Sequence, residues 1–214
     1  MNDKTKKITT TAMLCAIAYA AVAVGRIPVV LFLKYDPKDV VITLGGLIWG
    51  PLTSCLVSVI VSLIEMVTIS DTGILGCIMN VISSCAFACT AAFIYKKNHT
   101  LSGAVFGLLV GSLVMTGAMM AWNYLIVPIY MGYPREAVVK LLLPAFLPFN
   151  LLKAGLNAGF TFLLYKPVIT ALRRSGLIET SAQTGRRKSI GIPLVSILII
   201  ITCVLYILSM RGLI

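Results

Sequence analysis

Seven apolar stretches dominate this sequence, at residues 8–24, 40–49, 52–69, 74–95, 101–128, 142–165 and 192–210. Most of them approach the roughly 20 residues that an α-helix needs to cross the hydrocarbon core of a bilayer. Only 12% of the residues are charged, whereas soluble domains carry about 25%. A chain with so little polar surface must be solvated largely by lipid. We therefore predict an all-α fold, a polytopic membrane helix bundle that contacts the lipid bilayer over most of its surface.

The distribution of basic residues predicts how the bundle is oriented. If every stretch crosses the membrane, eleven lysines and arginines lie on the side of the N-terminus and six on the other side. Cytoplasmic loops carry the excess of positive charge, so the N-terminus is expected to be cytoplasmic. The stretch at 40–49 is too short to span a bilayer alone, and every later helix would invert if it did not cross.

Several classes of function are excluded by what the sequence lacks. The net charge of +11 does not indicate nucleic-acid binding, because the basic residues lie between the apolar stretches and not along one stripe. The six cysteines form no C-x-x-C pair, which argues against a zinc or dithiol site. No phosphate-binding G-x-x-x-x-G-K-[ST] motif occurs, so we expect no nucleotide hydrolysis by this chain. No nucleophile–base constellation lies within the apolar stretches, so we expect that the protein is not an enzyme.

Polar side chains inside the apolar stretches mark a candidate binding site. Asn150, Lys153 and Asn157 are spaced i, i+3, i+7, so they lie within about 60° of one another on a helix. A charged group in a transmembrane helix is costly, and such a stripe must face protein or a cavity. A lysine that snorkels to the surface is the alternative.

Three further residues are candidates of the same kind. Asn123 lies deep in the fifth stretch, where it either lines a pocket or makes an interhelical hydrogen bond. Its neighbour Trp122 lines the same pocket or belongs to an interfacial aromatic belt. Asn80 is a weaker candidate.

The acidic residues near the end of the third stretch, Glu65 and Asp71, are expected to be solvated at the helix end. No acidic residue is predicted deep enough for a proton relay, which disfavours a proton-coupled carrier. In the first stretch, Ala12, Ala16 and Ala20 recur every four residues, a spacing that lets another helix approach closely.

Three sequence segments together resemble the substrate-binding S components of energy-coupling factor (ECF) vitamin transporters, most closely the riboflavin-specific type. They are the loop FLKYDPKD at 32–39, Asn123-Tyr124 followed by Pro128, and LPFNLLK at 147–153. The Ala12, Ala16 and Ala20 ladder is similar to the contact motif on the first helix of that family. The resemblance covers residues 9–174. Two features depart from the family pattern: Glu65 stands where relatives often have a basic residue, and the last apolar stretch is additional.

The resemblance implies a six-helix core at 1–174 that binds a vitamin near the outer face of the membrane. The polar segment at 175–191 would then be a cytoplasmic linker, and 192–214 an additional C-terminal transmembrane helix. The loop after the first helix, with Phe32, Tyr35 and Asp36, would close over the ligand. Riboflavin would be a transported ligand and not a cofactor, and no cofactor or metal is expected.

The resemblance also implies partners: a transmembrane scaffold subunit, contacted through the alanine ladder, and two ATPase subunits in a bacterial plasma membrane. The amide and lysine groups suit the uracil-like edge of a flavin, since an amide both donates and accepts hydrogen bonds. The lysine leaves a phosphorylated flavin open. Two alternatives remain at this stage: the same fold with thiamine or a pterin as ligand, and an independent secondary carrier.

Overall fold

The computed structural model describes residues 3–31, 33–176 and 191–210, and it confirms the all-α membrane bundle. The helices are α1 Asp3–Gly25, α2 Lys38–Trp49, α3 Pro51–Thr68, α4 Gly73–Lys97, α5 Leu101–Met131, α6 Arg135–Leu141, α7 Leu147–Arg174 and α8 Gly191–Met210. A π-helical turn, Leu142–Phe146, joins α6 to α7. Within the described ranges, five helices are long and apolar enough to cross a membrane.

A small antiparallel β-hairpin, which the sequence did not predict, connects α1 to α2. Its strands are β1 Ile27–Val30 and β2 Leu33–Tyr35, and Ile27 pairs with Tyr35. Strands this short leave little periodic signal in a sequence. The hairpin lies at one end of the bundle, which we call the hairpin end.

The short second stretch forms α2, and its contacts show how it runs. Its first residue, Lys38, binds Glu65 near the end of α3, while Arg26 at the end of α1 binds Asp36 just before α2. Twelve residues of helix extend about 18 Å, so α2 leads the chain from the hairpin end toward the opposite end. There Gly50, with φ of 93°, ends α2, and Pro51 begins α3.

The additional helix α8 packs along α7. Its buried or half-buried residues recur at helical spacing on one face: Ser196, Ile199, Ile200, Cys203 and Ile207. Apolar side chains on its other faces are exposed, as expected for a helix that contacts lipid. Most of the predicted linker at 175–191 lies outside the described residues, which resume at Gly191.

The alanine ladder of α1 lies on the outside of the bundle. Ala12, Ala16 and Ala20 are all exposed, whereas Ala18 and Val22 on the opposite face are fully buried. The outward face of α1 therefore presents small side chains to whatever surrounds the protein.

Candidate ligand-binding site

A cavity of about 70 Å³ lies at the hairpin end, between α4, α5 and α7 and beneath β2. Apolar side chains form part of its wall, and they are Leu33, Met79, Met119 and Phe149. Polar side chains from the three helices also face it, and they are Asn80, Ser83, Asn123, Asn150 and Lys153. Of the nine substrate-binding residues predicted from the sequence, four therefore lie together in the cavity wall: Asn80, Asn123, Asn150 and Lys153. Asp36 joins them at the mouth, beside Arg26, Lys34 and Asp71.

Asn123 is the polar group in this wall that is most available to a ligand. It is only 2% exposed, and α5 directs it into the cavity. Among the residues that the structure describes, its side chain forms no hydrogen bond. A buried amide without a partner is costly, so both its donor and its acceptor suit a ligand that fills the cavity.

Lys153 is held by a carboxylate that the sequence analysis missed. Its Nζ lies 3.1 Å from Oδ2 of Asp39 and donates to Oγ of Ser83 at 3.1 Å. Asp39 is fully buried and also accepts hydrogen bonds from Ser84 and Asn157. The expectation that no acidic residue lies deep in the bundle is therefore wrong. It failed because Asp39 reads as part of a charged loop, whereas it lies in the first turn of α2.

The predicted polar stripe of α7 faces the protein interior along its whole length. Asn150 donates to the backbone oxygen of Phe146, the last residue of the π-helical turn, at 2.8 Å, and its side chain lines the cavity. Asn157 lies about two turns deeper than Asn150; it is fully buried and donates to Asp39 at 3.3 Å. It supports the cavity from below and does not line it.

Glu65 is the centre of a second buried network and is not solvated, contrary to expectation. It is fully buried, and it accepts from Lys38 at 2.5 Å, Arg26 at 3.1 Å and Asn80 at 3.1 Å. The prediction failed because Arg26, between α1 and β1, and Lys38, at the start of α2, both lie within hydrogen-bond distance of Glu65 in the folded chain. Burial alone would lower the pKa of Arg26, but the hydrogen bond and charge of Asp36, together with Glu65, raise it. Arg26 therefore stays cationic and ties the hairpin to α3.

The two networks together are electrically balanced. They contain three cations, Arg26, Lys38 and Lys153, and three carboxylates, Asp36, Asp39 and Glu65. Each cation has a carboxylate partner within hydrogen-bond distance. Among the described residues, the buried part of the site thus carries no uncompensated charge for an ionic ligand.

The remaining predicted site residues lie elsewhere. Tyr35 is buried in an apolar cluster with Phe146 and Phe149 and does not line the cavity. Burial, with the charges of Asp39 and Asp36, raises its pKa, so its hydroxyl stays protonated. Trp122 lies about 100° around α5 from Asn123 and lines a neighbouring groove with Met79. Phe32 lies outside the described residues.

Comparisons with known proteins agree on one family. A family model described as the ECF transporter substrate-specific component matches residues 6–165. "Riboflavin transporter FmnP" of Bacillus subtilis (strain 168) is 30% identical over 163 residues, which cover 70% of this chain and 85% of the relative. "Riboflavin transporter RibU" of Streptococcus thermophilus is 25% identical over 180 residues, which cover 78% of this chain and 85% of the relative.

A solved structure is also similar to this chain. It is described as the S component of a bacterial ECF transporter, and it matches with a TM-score of 0.68 and 26% identity. The match covers 80% of this chain and 99% of that chain. The helix α8 begins after the last residue that the family model matches.

Proposed function

Since the chain belongs to the family of ECF transporter substrate-specific components, we propose that it is the riboflavin-binding subunit of an ATP-driven vitamin importer. It is a membrane-embedded transport subunit, not an enzyme. The names of the two curated relatives support riboflavin as the ligand. The cavity beneath the hairpin is the site where the vitamin would bind.

The observation that carries this proposal is the pair of amides that face the cavity, Asn123 and Asn150. The uracil-like edge of a flavin both donates and accepts hydrogen bonds, and a side-chain amide can do the same. Met79, Met119 and Phe149 offer apolar walls for the ring system. Asn80 and Lys153 supply further polar contacts at the edge of the same wall.

The charge balance of the site supports a neutral flavin over a phosphorylated one. Lys153 already neutralises Asp39, and Arg26 and Lys38 already neutralise Asp36 and Glu65. A phosphate group in the buried part of the cavity would need a cation released from one of these pairs, and breaking a buried pair is strongly unfavourable.

For transport, the proposal requires partners that supply the energy. A transmembrane scaffold subunit would dock on α1 at Ala12, Ala16 and Ala20, and two ATPase subunits would act through that scaffold. The excess of basic residues at the end opposite the hairpin supports a cytoplasmic N-terminus in a bacterial plasma membrane. The hairpin and cavity would then lie near the outer face, where the vitamin arrives.

Two experiments test the proposal. The purified chain, expressed in riboflavin-containing medium, is expected to carry a yellow, flavin-like absorption spectrum that excess thiamine or a pterin does not displace. Displacement by one of these vitamins would assign the same fold to another ligand. Riboflavin uptake by cells is expected only when the scaffold and ATPase subunits are co-expressed, whereas uptake by the chain alone would identify a secondary carrier.

A further inference from the structure

The helix α8 reaches the hairpin that covers the cavity. Ile207, near its end, is only 8% exposed and belongs to one apolar cluster with Val29, Leu33 and Tyr35 of the hairpin. Helix α8 also packs directly against β1. Helix α8, which lies outside the residues that the family model matches, therefore contacts the hairpin that covers the cavity.

A close helix–helix contact holds α8 in this position. Gly155 and Gly159 of α7 form a G-x-x-x-G pair that faces α8. A Cβ atom at Gly159 would lie 3.0 Å from Cγ1 of Ile200 and 3.3 Å from the backbone oxygen of Ser196, and one at Gly155 would lie 3.1 Å from Sγ of Cys203. Lipid provides no hydrophobic drive between helices, so such close packing is what keeps a helix pair associated.

The hairpin must move for a vitamin to enter or leave. Leu33 and Lys34 of β2 line the cavity, and Lys34 is paired at 3.1 Å with Asp71 in the α3–α4 turn across the mouth. Leu33 belongs to both the cavity wall and the cluster that contains Ile207. Displacing the hairpin therefore disturbs its contact with α8.

We propose that α8 is a clamp that holds the hairpin closed and thereby slows both entry and release of the vitamin. The clamp contacts the hairpin and not the cavity, since no described residue of α8 lines the cavity. It therefore stabilises the closed hairpin equally with and without a ligand. Loosening it should raise the association and dissociation rate constants by the same factor and leave Kd unchanged.

The kinetic test compares two matched isoleucine variants, and it rests on the proposed function because riboflavin is the probe. Ile207→Ala removes the contact with the hairpin, whereas Ile201→Ala removes an equal side chain that is 50% exposed on the same helix. In stopped-flow flavin fluorescence, Ile207→Ala is expected to raise both rate constants about tenfold, which corresponds to about 1.4 kcal/mol. Ile201→Ala is expected to change neither. Unchanged rates in Ile207→Ala, or a higher Kd caused by release alone, would overturn the clamp.

A second test needs no flavin. Gly159→Val should push α8 away from α7, while Gly117→Val adds a side chain where nothing lies within 4 Å. Hydrogen exchange of the hairpin amides in the full chain should be faster in Gly159→Val and Ile207→Ala than in the unmodified protein and in the two controls. Equal exchange in all of them would refute the clamp. Failure of the unmodified protein to bind riboflavin would instead refute the proposed function, with the exchange result still testing the clamp.

Discussion

The polar side chains that face the cavity differ in how firmly hydrogen bonds within the protein hold them. Asn123 faces the cavity and makes no hydrogen bond to the described part of the chain, whereas Asp39, Asn157 and Glu65 are bonded beneath or beside it. Substitution of Asn123 should therefore change affinity alone, whereas substitution of Asp39, Asn157 or Glu65 should also change the stability of the fold.

Asn123→Ala is expected to weaken riboflavin binding without destabilising the protein. The flavin would lose its amide partner at a cost of about 1–3 kcal/mol, or roughly one to two decades of affinity. Asn98→Ala, at the exposed end of α4, is the matched control and should bind normally. Calorimetric titration and thermal unfolding of both variants check this. Normal affinity in a folded Asn123→Ala variant would return the residue to a structural role.

Removing Lys153 or Asn150 is also expected to weaken binding, but with an additional effect for the lysine. Asn150→Ala removes a cavity-facing amide, and the same range of about 1–3 kcal/mol applies to its binding energy. Lys153→Ala also leaves Asp39 without its cation. We therefore expect lower affinity in both variants and a lower unfolding temperature chiefly in Lys153→Ala. Unchanged flavin affinity in both folded variants would contradict their assignment to the site.

Asp39→Asn should cost about 3–5 kcal/mol of unfolding free energy, because it leaves Lys153 buried without a counter-charge. Asp71→Asn, which breaks the exposed pair with Lys34, should cost only about 0–1 kcal/mol. The double variant Asp39→Asn with Lys153→Met should be more stable than Asp39→Asn alone. Denaturation in detergent measures all three, and equal stability of the two single variants would contradict a structural role for the buried pair.

The helix period decides which of these side chains can be placed from the sequence. The spacing of Asn150, Lys153 and Asn157 predicts that they share one helix face, and all three are buried inside the bundle. Asp39 and Glu65 were misjudged, because their partners come from segments distant in sequence, which only the packed bundle brings near. Trp122 and Asn123 are adjacent in sequence, and adjacent residues lie about 100° apart around a helix. Trp122 therefore faces a neighbouring groove and not the cavity.

Among the elements, each of the seven apolar stretches contains a helix, whereas the hairpin, the π-helical turn and the short helix α6 were not predicted. Stretches of about 20 apolar residues specify spanning helices by length alone. The hairpin and the π-helical turn contain few residues each, and their conformations depend on packing at the hairpin end. The four-residue spacing of Ala12, Ala16 and Ala20 predicts that they share one face of α1, but it does not predict that this face is exposed.

The ladder on α1 supports a prediction about coupling. Ala16→Leu with Ala20→Leu should abolish ATP-driven riboflavin uptake, because bulky side chains hold the scaffold helix off and forfeit close contact. Riboflavin binding by the purified variant should be unchanged, since the cavity lies between α4, α5 and α7. Ala121→Leu, exposed on α5, is the matched control and should transport normally. Normal uptake by the double variant would remove the ladder from the mechanism, and loss of both activities would indicate misfolding.

For the molecule as a whole, the core and the additional helix can be separated by truncation. The match to the family model ends at residue 165 of this chain, and no described residue of α8 lines the cavity. A chain ended near residue 179 and inserted stably in the membrane is therefore expected to keep its riboflavin affinity. Loss of binding by such a product, measured by titration against the full chain, would show that α8 is part of the binding core.

We propose that this membrane bundle binds riboflavin in the cavity beneath the hairpin and needs no other subunit to do so. The most direct measurement is a calorimetric titration of the purified, flavin-free full chain with riboflavin, in the absence of scaffold and ATPase subunits. We expect saturable binding with a stoichiometry of one riboflavin per chain. A titration with no saturable heat, from protein that is folded and monodisperse, would contradict it.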